Sequence, residues 1–91
     1  MKNTATEVKV RVAARKIQLP EEILTTHEQF YQHGDYSTIS EMAYQSPHYV
    51  VKVRRAIKAG NADKILWEAI TSFYKEVLRQ NEQLLSTYDN D

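Results

Sequence analysis

Cysteine is absent from this 91-residue chain, which removes disulfides, thiolate metal sites and a cysteine nucleophile in one step. Glycine occurs only at Gly34 and Gly60, too sparsely to build a phosphate-cradling loop or a nucleophile elbow. No apolar run approaches a membrane span, and the opening residues MKNTATEVKVRV lack the hydrophobic centre of a signal peptide. A reducing cytoplasm with no membrane partner is the expected setting. The three histidines, His27, His33 and His48, fall on different elements with no HExxH or other ligand spacing, so neither a metal nor a cofactor is expected. No pair of carboxylates stands out as general acid and base, which argues against an enzyme and against a small-molecule substrate.

Twelve basic groups balance twelve acidic ones, but they are segregated along the chain. Residues 1–20 hold Lys2, Lys9, Arg11, Arg15 and Lys16 against Glu7, whereas residues 21–45 hold five acids and no lysine or arginine. Residues 46–60 then carry Lys52, Arg54, Arg55 and Lys58 with no acid. Local field governs association more than the total does, so two basic blocks on an otherwise acidic protein predict a binding face with a repelling back.

Hydrophobic spacing predicts a mainly α domain of about four helices. A first helix is expected from Pro20 to His33, where Ile23, Leu24, His27, Phe30 and Tyr31 recur on one face and Gly34-Asp35 follows as a break. Tyr36–Gly60 reads as a short helix, a tight turn and a basic helix. Ile39, Met42 and Ala43 line the short helix, and Val50, Val53, Ala56 and Ile57 form a matching stripe on the second. Ser46-Pro47 marks the start of that second helix, because the serine oxygen accepts orphan backbone N–H groups and proline at the first position has no N–H to lose. Gly60 supplies the stop. A longer last helix is expected from Asn61 or Asp63 to Leu85, with Ile65, Leu66, Ala69, Ile70, Phe73, Val77 and Leu84 along one side. Tyr31, Tyr36 and Tyr74 are expected at the core margin, and Trp67 in the core or at a dimer seam.

The helix, turn and basic helix of Tyr36–Ile57 resemble the helix-turn-helix of the Cro/repressor and lactose-repressor-type families of phage and bacterial regulators. Ser40 matches the small residue where the two helices cross, Ala43 the apolar position before the turn, Ser46 the serine opening the recognition helix, and Val50 and Val53 its buried aliphatic positions. Tyr44 departs from the pattern by standing where the family has glycine. The resemblance implies a sequence-specific binder of double-stranded DNA that regulates transcription, as in phage and mobile-element repressors. Ser46, Pro47, His48, Lys52 and Arg55 would approach the groove, with His48, Lys52 and Arg55 reading bases. Arg54 and Lys58 would contact phosphate, as would Tyr36 and Ser37 through backbone N–H and hydroxyl groups at the start of the first motif helix.

Upstream, Val8, Val10 and Val12 alternate with Lys9 and Arg11, a period-two pattern that predicts a short N-terminal β segment continuing through Ile17 and Leu19. Such a strand needs a partner, either by folding back within residues 7–19 or in a second chain. The second option resembles ribbon-helix-helix repressors, in which Arg11, Arg15, Lys16 and Gln18 would contact DNA instead. A different class of function is a helical protein-interaction module, accessory or inhibitory, that docks through the long last helix. The expected organisation is one domain over residues 7–85, flanked by a disordered N-terminus (1–6) and tail (86–91), working as a homodimer.

Overall fold

The computed structural model describes residues 15–89. Helix α1 spans Glu21–Phe30, α2 Asp35–Tyr44, α3 Val50–Ala59 and α4 Lys64–Asp89, with a 3₁₀ turn at Pro47–Tyr49 and two short strands, β1 (Ile17–Gln18) and β2 (Asn61–Ala62). The mainly helical architecture with a short β segment near the N-terminus is the expected one. The alternating stretch Val8–Val12, the segment 1–6 and residues 90–91 lie outside the described residues.

Helix α1 begins after Pro20, whose carbonyl accepts from the Ile23 and Leu24 N–H groups, and Glu21 and Glu22 place negative charge where the helix dipole is positive. It ends three residues short of the expected His33. Tyr31 turns extended and lays its ring against Tyr36 and His27, while Gln32 and Asp35 tie the following turn together. Gly34 opens α2 at φ 100°, a left-handed conformation that glycine takes without a Cβ penalty.

Between α2 and α3 the chain differs from the family pattern. Tyr44 stays helical, and the left-handed residue is Gln45, at φ 57°. The ring of Tyr44 packs on Tyr49 at 4.8 Å between centroids, which holds residue 44 in the helix and moves the turn one position along. The second motif helix also starts differently. Ser46 Oγ accepts from the His48 N–H at 3.2 Å, but the segment it caps is a 3₁₀ turn, and regular α-helix begins only at Val50.

The core forms where all four helices and β2 meet, around Ile23, Ile39, Val53, Leu66, Ile70 and Tyr74. Each fully buried aliphatic side chain there contributes roughly 1.5–3 kcal/mol relative to exposure. Three expected core positions face water instead: Met42 on α2 is 49% exposed, and Ile65 and Leu84 on α4 are 58% and 56% exposed. Tyr74, expected at the margin, is fully buried, and its hydroxyl donates to Asp35 Oδ2 at 3.1 Å. Tyr31, also expected at the margin, is exposed. Trp67 is half-buried against the core.

The β segment finds its partner within the chain. Ile17 pairs with Ala62 and Gln18 with Asn61 in antiparallel register, which is neither of the two pairings expected from the sequence. Leu19 N–H adds a 2.8 Å bond to the Gly60 carbonyl, and Trp67 Nε1 donates to the Gln18 carbonyl at 3.0 Å. Helix α4 runs past Leu85 to Asp89, so residues 86–89, read from the sequence as tail, continue the helix.

Candidate nucleic-acid interface

Ser40 holds the two helices of the motif together. It is fully buried, donates from Oγ to the Ser46 carbonyl and accepts the Tyr49 N–H at 3.0 Å, thereby satisfying the backbone on both sides of the turn. Behind it Val53 and Ile57 bury the inner face of α3. At 100° per residue, that burial turns Arg55 directly outward, with Val51 and Lys58 beside it.

The basic side chains of α3 divide between two flanks. On one side His48, Lys52 and Arg55 border a groove of about 550 Å³ together with Tyr49, Val51 and, from the residue before β1, Lys16. On the other, Arg54 and Lys58 border a groove of about 590 Å³ against Leu24, His27 and Tyr36 of the first two helices and Tyr31 between them. Pro47 and His48 are exposed at the start of the motif's second half, and Ser46 is half-buried.

Two expected contacts are already engaged inside the protein. Lys52 Nζ lies 3.7 Å from Asp63 Oδ2 and 4.8 Å from the centre of the Tyr44 ring. These neighbours hold its pKa above the ordinary lysine value, Tyr44 first and Asp63 after it. An exposed pair of this kind is worth under about 1 kcal/mol, so Lys52 can be released to a ligand, but at rest it does not point free into solvent. Tyr36 turns its hydroxyl to His27 Nε2 at 2.9 Å, which leaves the backbone N–H groups at the start of α2 as the means by which Tyr36 and Ser37 would hold phosphate. Asp35 stands in that same turn, with Oδ2 accepting from Gln32 N–H and the Tyr74 hydroxyl, and its negative charge opposes a phosphate there.

His27, expected as a packed core residue, is half-buried in a cage of Tyr31, Tyr36 and Tyr74 at centroid distances of 5.4, 5.8 and 5.4 Å. Burial lowers its pKa below the ordinary histidine value, against the opposing charges of Asp35 and Glu28. Burial likewise raises the Tyr74 hydroxyl, with Asp35 adding to it. Among the described residues no cluster of three or more histidine, aspartate or glutamate side chains is placed to hold a metal ion, and no helix is long and apolar enough to cross a membrane.

Sequence reasoning missed the Lys52–Asp63 contact and the place of Lys16 beside α3. The place of Lys16 depends on the β1–β2 pairing, and a two-residue strand carries no period to read; the Lys52–Asp63 contact depends on how the chain turns from α3 into α4. No family model matches the chain, and no curated protein or solved structure matches it significantly.

Proposed function

We propose that this protein binds duplex DNA with α3 in the major groove, as a transcriptional regulator of the phage or mobile-element type. The observation that carries the reading is the outward face of α3, where Arg54, Arg55 and Lys58 are exposed, no acid interrupts residues 46–60, and Ser40 pins the helix to α2. Arg55, at the centre of that face, is the principal base reader, and Arg54 and Lys58 are phosphate contacts. A cytoplasmic homodimer is the form in which such a reader recognises a pseudo-palindromic site.

The ribbon-helix-helix alternative draws less support, because Ile17–Gln18 spends one hydrogen-bonding edge on β2 rather than on a second chain. A protein-interaction module is the second reading, favoured by the exposed Leu84 on the far part of α4. Salt dependence separates DNA binding from helix docking. If the four lysines and arginines of residues 46–60 and His48 all neutralise phosphate, they contribute about −4 to −5 to the slope of log affinity on log salt, whereas docking of a helix in an apolar groove responds far less. Titration of labelled random and selected duplexes at several salt concentrations measures this, and no binding at low salt would overturn the proposal.

A further inference from the structure

A helix with its side chains is roughly 10–12 Å across and the major groove about 12 Å wide, so a helix seated there lies between two phosphate backbones. Cations on one flank of α3 can hold only one of them. Arg54 and Lys58 occupy the flank facing α1. The opposite flank is formed by the chain leading into β1 and by the start of α4.

Successive residues of an extended chain point to opposite sides, and residues 15–17 follow that rule. Lys16 faces the groove that holds His48, Lys52 and Arg55. Arg15 and Ile17 face a neighbouring recess of about 470 Å³ that also contains Tyr44, Lys52, Asp63 and Lys64. Lys52 belongs to both and forms the partition between them, its charge largely offset by Asp63. Arg15, Lys16 and Lys64 are all exposed and have no carboxylate within ion-pair distance among the described residues. Four constraints on the strand hold the two basic residues just before it at this edge: the pairings Ile17–Ala62 and Gln18–Asn61, the Leu19–Gly60 bond and the Trp67–Gln18 bond.

We infer that Arg15, Lys16 and Lys64 form a phosphate clamp for duplex DNA on the β1 side of α3, opposite Arg54 and Lys58, so that both strands bordering the groove are held. This inference rests on the DNA-binding reading. The clamp adds three phosphate contacts and reads no base, so it steepens the salt dependence equally on every sequence.

The test uses the full chain and a triple variant, Arg15→Ala/Lys16→Ala/Lys64→Ala, whose three sites are exposed and outside the core. The unmodified protein should show a slope near −7, and the triple variant should return it to about −4 to −5 with the same preference for selected over random DNA. A second measurement compares the unmodified protein with the triple variant on duplexes with neutral methylphosphonates on one strand or the other. Substitution on either bordering strand should weaken binding, and one strand's effect should vanish in the triple variant. A protein that binds DNA with a slope unchanged by the triple substitution, or with sensitivity on a single strand, overturns the clamp and leaves the DNA reading standing. Absence of any binding by the unmodified protein removes both.

Discussion

His27 sits among three tyrosines with a hydrogen bond to one of them, and this placement ties folding to pH. Burial lowers its pKa in the folded state, while the unfolded chain takes up the proton at about 6.5. Between those two values the unfolded state binds more protons, so stability rises with pH there. The contribution is fully present above about pH 6.5 and is lost as pH falls from there through the folded-state value. The urea midpoint should therefore drop between pH 7.5 and 5.5, and His27→Gln should drop less over the same range. Parallel declines in the two proteins would show that this ring is not the source. Tyr36 bonds to the same ring, so the event occurs one side chain away from the start of α2.

Ser40 ties the end of α2 to the turn before α3 with two hydrogen bonds. Ser40→Ala leaves the Tyr49 N–H and the Ser46 carbonyl without their side-chain partner, a loss of about 1–3 kcal/mol if the groups stay buried. Chemical denaturation should show that loss, and DNA affinity should fall with it; a change under about 0.5 kcal/mol would mean that water replaces the hydroxyl. The same pair of helices shows what the sequence reveals about structure. Ile39, Val53 and Ile57 recur at helical spacing because each must face the one core, and that requirement is visible in the order of residues. Met42 satisfies the same spacing yet faces water, since α2 is covered on less of its circumference than its apolar content suggests. That Gln45 rather than residue 44 takes the left-handed position is not legible in local preference, and the Tyr44–Tyr49 ring contact beside it crosses the turn. Of the proposed site, Arg54, Arg55 and Lys58 were legible from the acid-free face. The approach of Lys16 was not, since it joins segments far apart in the chain, and the engagement of Lys52 by Asp63 was not, since it crosses the turn between two helices.

At the scale of the whole molecule, α4 is longer than its packing requires. Its 26 residues extend about 39 Å, and among the side chains described its buried positions end at Tyr74, with Phe73 and Val77 partly covered. If the far part of α4 is the seam of a dimer, Leu84→Lys should dissociate it while the helical circular dichroism of the protomer survives. If the seam is the N-terminal strand, Val10→Lys should do so instead. Sedimentation of the unmodified protein as a monomer, both free at micromolar concentration and on DNA, would leave a reader of single half-sites.

The strap formed by β1 has a consequence for how the molecule is made. Gln18 meets Asn61 across some forty intervening residues, and closing so long a loop is entropically costly until α3 has formed and fixed Gly60 and Asn61 in place. Ile17 and Gln18 are therefore made before the residues that secure them, and a nascent chain that has not yet released Asn61 and Trp67 leaves this strand without its partner. Because the indole that closes this arrangement belongs to the chain's single tryptophan, fluorescence from that one side chain follows the docking step directly.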